Sequence, residues 1–124
     1  MPRDDRQRLG ELGEDLACRE LRRRGYAILA RRYRTRHGEI DIIARDGPTI
    51  VFVEVKARRG RAFGRAVEAV TRTKRRRLVL MAGDYLACRT RRDGPCRFDV
   101  VEVDVGESGT GVTVYPAAFL ADGA

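Results

Sequence analysis

Two apolar segments near the middle of the chain carry charge, and that combination limits the folds open to it. Gly38-Glu39-Ile40-Asp41-Ile42-Ile43 and Val51-Phe52-Val53-Glu54-Val55-Lys56 are rich in β-branched residues, and Arg45-Asp46-Gly47-Pro48 between them is a turn signal. The pair predicts a β-hairpin. A loop centred on Asp46-Gly47 sets Ala44 opposite Thr49. Side chains alternate faces along a strand, so Glu54 and Lys56 share a face with Ile50 and Phe52, and the pairing adds Glu39 and Asp41 to it. A two-residue shift of register preserves that set. Three carboxylates and an ammonium on an otherwise apolar face are costly unless something binds there. A hard divalent cation held by carboxylate oxygens beside a lysine is a suitable occupant. The competing reading is a structural ion-pair cluster on an exposed sheet face.

The identity of the basic residues sharpens the first reading. The 26 basic residues include only two lysines, Lys56 and Lys74. Arginine does not lose its proton in a protein, whereas a lysine's pKa moves readily with its surroundings. A chain that uses arginine almost throughout has placed one of its two lysines in the suspected site. The net charge of +8 and pI near 10.2 favour a phosphate polyanion as partner. No aromatic-anchored amphipathic helix suggests a membrane surface. Aromatics are 6% with no Trp, which leaves little material for the stacking platforms of common RNA-binding modules. The expected partner is nucleic acid, DNA ahead of RNA, with no membrane; a homodimer is left open.

At 124 residues the chain predicts a single domain over 1–124 with one core. No run approaches the roughly 20 apolar residues of a membrane span, and the charged start lacks a signal region, so the cytoplasm is the expected location. Cys18, Cys88 and Cys96 have no metal-ligand spacing and read as reduced thiols. Asp4 or Asp5 opens a first helix that Gly25 closes, with Leu9, Leu12, Leu16, Ala17 and Leu21 as its apolar stripe. Tyr26–Arg34 reads as a strand before the hairpin, and 58–64 as a basic loop after it. Thr71 or Thr73 caps a second helix with Leu78, Met81, Ala82, Tyr85 and Leu86 inward. Its first turns carry Lys74, Arg75, Arg76 and Arg77, where positive charge opposes the helix dipole, so an external anion is the better explanation of that block. Arg58, Arg59 and Arg61 beside Lys56 complete the expected nucleic-acid-binding set. Strands at 97–103 and 112–115, joined by a turn over 104–111, finish the chain. A hairpin followed by a helical crossover implies a mixed sheet with helices on its faces.

Asp41 followed by Glu54-Val55-Lys56 resembles the signature of the PD-(D/E)XK nucleases, with Ile40 in place of the namesake proline. The wider pattern resembles the YraN-like bacterial family: Gly10-Glu11-Leu12-Gly13-Glu14-Asp15-Leu16-Ala17, Gly38-Glu39-Ile40-Asp41, Val51 to Lys56, Phe63-Gly64 and Arg97-Phe98-Asp99-Val100 occur in its order, over roughly residues 8 to 120. That family is similar to archaeal Holliday-junction resolvases. The resemblance implies an α/β, three-layer, restriction-endonuclease-like core with a mixed central sheet flanked by helices, in the order α-β-β-β-α-β(-β). It implies a metal-dependent endonuclease cutting DNA, with branched or flexible DNA as a substrate class. Mg²⁺ or Mn²⁺ would be held by Asp41, Glu54 and the Val55 carbonyl. The catalytic set would be Asp41, Glu54, Lys56 and, from the first helix, Glu14. The alternative is a catalytically inactive nuclease-fold protein that binds DNA or RNA or recruits a partner. His37 reads as exposed, and Asp99 as a partner of Arg97.

Overall fold

The structure, a computed structural model, describes residues 4–60, 70–88 and 94–120. Seven elements follow in the order α-β-β-β-α-β-β: α1 (Asp5–Arg23), β1 (Ala27–Thr35), β2 (Gly38–Asp46), β3 (Thr49–Arg59), α2 (Arg72–Ala87), β4 (Cys96–Gly106) and β5 (Gly109–Phe119). The strands form one mixed sheet in sequence order, antiparallel except for the parallel pair β3–β4 that α2 connects. Both helices start at side-chain caps. Asp4 accepts from the Gln7 amide, and Thr71 accepts from the Lys74 amide. Gly25, just beyond α1, has φ of +93°, a left-handed geometry that glycine adopts without strain at a helix end.

Period-two alternation divides the core into two layers. Ile43, Phe52, Phe98 and Val100 pack under α2 with Leu78, Met81, Ala82 and Tyr85. Ile42, Ala44, Val51, Val53, Val101 and Val103 pack under α1 with Ala17, Cys18 and Leu21. The sheet is thus sandwiched between two helices, the three-layer α/β arrangement.

The apolar stripe expected on α1 is rotated. Leu12 is 42% exposed, while Gly13 is buried. A Cβ on Gly13 would lie 2.6 Å from the Ala57 Cβ. Glycine there lets helix and strand approach more closely than a leucine face would, and hydropathy gives such a position no weight. Gly13→Ala is expected to destabilise by roughly 1–3 kcal/mol through overpacking. Gly10→Ala, where nothing lies within 4 Å, is expected to stabilise by about 0.5–1 kcal/mol through helix propensity. Urea unfolding of the two variants checks the opposite signs.

Three boundaries differ from the sequence reading. The hairpin loop is Gly47-Pro48, so Ala44 faces Val51 and the register slides by two residues. β3 runs on through Arg58 and Arg59 instead of giving way to a loop, because its parallel ladder with β4 continues to Arg59↔Val105. Arg61 lies outside the described residues, as do Phe63 and Gly64. The β4–β5 connection shrinks to Glu107-Ser108, since Gly-, Ser- and Thr-rich residues that resemble a long turn still pair across a ladder.

At the far end of the sheet, buried Asp99 accepts from Arg97 at 3.0 Å and from the Ala117 amide at 2.9 Å. Arg97 also reaches Asp46 at 3.1 Å and the Tyr26 hydroxyl. The expected Arg97–Asp99 pair therefore belongs to a satisfied structural network.

Candidate active site

Alternation fails at one point of β2, and the site forms there. Ile40 and Ile43 both enter the α2 core, whereas Ile42 enters the α1 core. The one-residue slip falls on Asp41. Across the β1–β2 ladder, Arg31↔Ile42 and Tyr33↔Ile40 pair while the residue between, Arg32, has φ of +51°. A non-glycine residue in that region costs on the order of 1–3 kcal/mol unless its surroundings enforce it. Here Arg32 Nε donates to Glu14 Oε1 at 3.0 Å, and Arg31 bonds Asp15 at 2.8 Å. The α1 carboxylates thus hold both arginines on the α1 side.

The β2–β3 ladder stops at Ile42↔Val53. One step further, the Asp41 carboxylate replaces the missing backbone acceptor: the Val55 amide donates to Asp41 Oδ2 at 2.8 Å. An extended residue points its N–H and C=O to the same side, so the Val55 carbonyl leaves β3 on this edge too. Glu54, 8% exposed, follows Phe52 on the α2 side of β3. Its Oε2 accepts from Lys74 Nζ at 3.2 Å. Lys56 lies one turn of the pleat further and contacts the Lys74 ammonium. A cleft of about 240 Å³ opens over this end of the sheet, lined by Arg6, Leu9, Gly10 and Glu14 of α1 and by Asp41, Val55, Lys56 and Ala57.

The electrostatics are those of a crowded, partly dehydrated site. Burial, then the Glu54 carboxylate nearby, push the Asp41 carboxyl up to about 7, against the lowering effect of the Val55 amide. Burial, then the Lys74 contact, pull Lys56 below the ordinary lysine range, although Glu54 and Asp41 act the other way. Burial also acts to lower Lys74, but the Lys56 contact and the Glu54 charge outweigh it and leave it raised.

Asp41, Val55 and Lys56 therefore line the cleft with Glu14 on its α1 wall, and Glu54 lies close to Asp41 from the α2 side of β3. Glu39 does not join them: it is exposed and faces Arg34 at 3.5 Å. The basic block of α2 is divided. Lys74 turns inward to Glu54, so its helix-terminal charge has an internal anion. Arg75 bonds the Val70 carbonyl at 2.9 Å and covers the Phe119 ring. Arg76 and Arg77 stay exposed. Arg58 lies 4.0 Å from Glu102, and Arg59 is exposed at the end of β3. By sequence pattern Lys74 belongs to the outer basic face, and Arg6 and Gly10, which line the cleft, carry no mark of a site. The scarcity of lysine was the signal that applied equally to Lys74.

The donors present suit some cations and not others. Among the described residues no group of three or more His, Cys, Asp or Glu side chains gathers to hold a metal. Two carboxylates and a backbone carbonyl with room for water match the habits of Mg²⁺ or Mn²⁺, which keep several waters, and do not match a closed zinc site.

A family model described as Uncharacterised protein family UPF0102 matches residues 13–103. The chain belongs to UPF0102. The match includes Glu14, Asp41, Glu54, Lys56 and Lys74, so the whole cleft apart from the start of α1 lies within the family's extent. A UPF0102 protein of Symbiobacterium thermophilum is 54% identical over 103 residues, covering 83% of this chain and 87% of its own length. One from Pseudomonas aeruginosa is 48% identical over 99 residues, 79% of each chain. One from Anaeromyxobacter dehalogenans is 45% identical over 120 residues, 97% of this chain and 90% of its own. No helix among the described residues is long and apolar enough to cross a membrane.

Proposed function

We propose that this UPF0102 protein is a nucleic-acid-binding, metal-dependent endonuclease of the PD-(D/E)XK kind that hydrolyses DNA phosphodiester bonds, with branched or flexible DNA as its preferred substrate. The observation that carries the reading is the pair of half-buried to buried carboxylates, Asp41 and Glu54, forced together beside both lysines of a chain that otherwise uses arginine. A neutral or purely structural cluster has no need of two mutually repelling carboxylates, one of them lining an open cleft.

Asp41, Glu54 and the Val55 carbonyl would hold Mg²⁺ or Mn²⁺. Bound there, the metal would polarise the scissile phosphate and acidify a water. The Val55 amide keeps the Asp41 carboxylate turned toward β3, so both acidic groups are oriented before any ligand arrives. Lys56 presents a compact ammonium to the attacking water and the phosphate oxygens. Glu14, fixed by Arg32, closes the α1 side and adds negative charge near Asp41. Arg6 at the mouth, with Arg58, Arg59, Arg76 and Arg77 and Arg61 beyond the described residues, would attract the phosphate backbone. The alternative reading, a binding protein without activity, draws on the Lys74–Glu54 pair, which neutralises one carboxylate without a metal.

The deciding experiment is cleavage of a labelled four-way junction and a matched linear duplex in Mg²⁺, Mn²⁺ or Ca²⁺, by wild type and Glu54→Gln. Cleavage is expected in Mg²⁺ or Mn²⁺ with wild type only, and the variant is expected to bind the junction as well as wild type does or better. Tight binding with no cleavage in any metal would favour the inactive reading. Equal cleavage by Glu54→Gln would remove the site.

A further inference from the structure

The two lysines of the chain touch each other, and one of them pairs with Glu54, which a basic surface alone does not require. Lys74 sits in the first turn of α2, where the helix dipole disfavours a cation, and its amide is already committed to the Thr71 cap. Its ammonium crosses to Glu54 Oε2 at 3.2 Å, with the Glu54 side chain 10% exposed and that of Lys74 37% exposed. Glu54 is thus enclosed, whereas Lys74 keeps an open route to solvent. Lys74 also touches Lys56, and the contacts with Lys56 and Glu54 both favour its charged form over the cost of burial.

We propose that Lys74 is an internal counter-ion that competes with a divalent cation for Glu54, and that its release to a nucleic-acid phosphate makes metal and nucleic acid bind cooperatively. This rests on the metal-site reading of Asp41 and Glu54. Without ligand, Lys74 neutralises Glu54. A divalent cation on Glu54 would face the ammonium at close range, and like-charge repulsion would drive it off. The flexible four-carbon stem and point charge of lysine allow that movement, whereas a planar arginine fork paired to a carboxylate is harder to displace. A phosphate over the cleft gives the freed ammonium a new partner, so each ligand removes part of the cost of the other. Thermodynamic linkage requires the coupling to be reciprocal.

The test is calorimetric titration of Ca²⁺ and Mn²⁺ into wild type, Lys74→Met, Lys74→Gln, Asp41→Asn and Glu54→Gln, without nucleic acid and then, for Ca²⁺, with a short four-way junction. Both Lys74 variants are expected to bind metal about tenfold more tightly than wild type when no nucleic acid is present. In wild type the junction is expected to tighten Ca²⁺ binding severalfold, and Ca²⁺ to tighten junction binding by the same factor. In the Lys74 variants that factor is expected to fall toward one. Circular dichroism and the melting midpoint establish that the variants fold; Lys74 is exposed enough that they should. If Asp41→Asn and Glu54→Gln weaken metal binding but the Lys74 variants leave it unchanged or weaker, the counter-ion proposal is overturned while the metal site stands. If Asp41→Asn and Glu54→Gln do not alter metal binding, the metal-site reading fails and takes this proposal with it.

Discussion

Asp41→Asn is expected to lose all measurable cleavage and, in the same protein, to become more stable than wild type at pH 8 in EDTA. Loss of cleavage follows from removing a charged ligand oxygen. The gain follows from linkage. Burial and Glu54 raise the folded-state pKa of Asp41 to about 7, against about 3.9 for an unperturbed aspartate. A raised carboxyl pKa means that the folded state holds the proton more tightly than the unfolded state does. The contribution of Asp41 is therefore fully present below about pH 4, declines as pH rises, and is gone above about pH 7. At about 1.4 kcal/mol per unit, the decline is on the order of 4 kcal/mol. Asparagine keeps an oxygen to accept from the Val55 amide and never ionises. Its advantage at pH 8 is expected to be on the order of 3 kcal/mol, roughly ten degrees in melting midpoint for a domain of this size. Calorimetric melting of both proteins from pH 4 to 9 isolates the difference. Adding Mg²⁺ at pH 8 is expected to restore stability to wild type and to leave Asp41→Asn unmoved. Parallel pH profiles for the two proteins would show that Asp41 is not strained in this way.

Lys56→Arg is expected to slow cleavage about a hundredfold while leaving fold and DNA affinity near wild type. The charge is kept, so a surface cation would not register the change. A guanidinium is larger, planar and permanently protonated, and it cannot take the position that the Lys56 ammonium holds beside Lys74. Displacing a reacting group by about 1 Å costs on that order in rate. Single-turnover cleavage of a junction measures it. On sequence grounds Lys74→Arg is the natural silent control, but its ammonium lies on Glu54 and against Lys56. Arg76→Lys, on the exposed side of α2, is the control that the structure supports. Equal rates for wild type and Lys56→Arg would place Lys56 outside the chemistry.

The order of elements was readable because each signal was local. Asp4 and Thr71 cap their helices, Gly47-Pro48 turns the hairpin, and β-branched alternation marks β2 and β3. Asp41, Glu54 and Lys56 were singled out for a similar reason, as charges in strands that had no local use for them. What could not be read depended on distant parts of the chain. Leu12 looked like core until Gly13 brought α1 onto Ala57. Arg58 and Arg59 looked like loop until the parallel ladder with β4 extended β3 beneath them. The slip at Asp41 needs Arg32 on a different strand and Glu14 on a helix. Glu39, two residues from Asp41, seemed to belong with it because alternation was assumed to hold through a point where it does not. Lys74 is separated from Glu54 by 20 positions in sequence, and three arginines follow it directly, so local context hid it.

An amine-specific reagent would find very few targets on this chain. Apart from an α-amino group, its side-chain targets are Lys56 and Lys74; Lys56 lines the cleft and Lys74 touches it from α2. Acylation followed by mass spectrometry would therefore label this cleft with little background. A ligand that covers it should protect both positions, whereas a cation that displaces Lys74 alone should expose one and leave the other shielded. The arginine bias of the sequence has in effect built a two-site occupancy probe into the native protein, readable without a substrate, a fluorophore or an engineered cysteine.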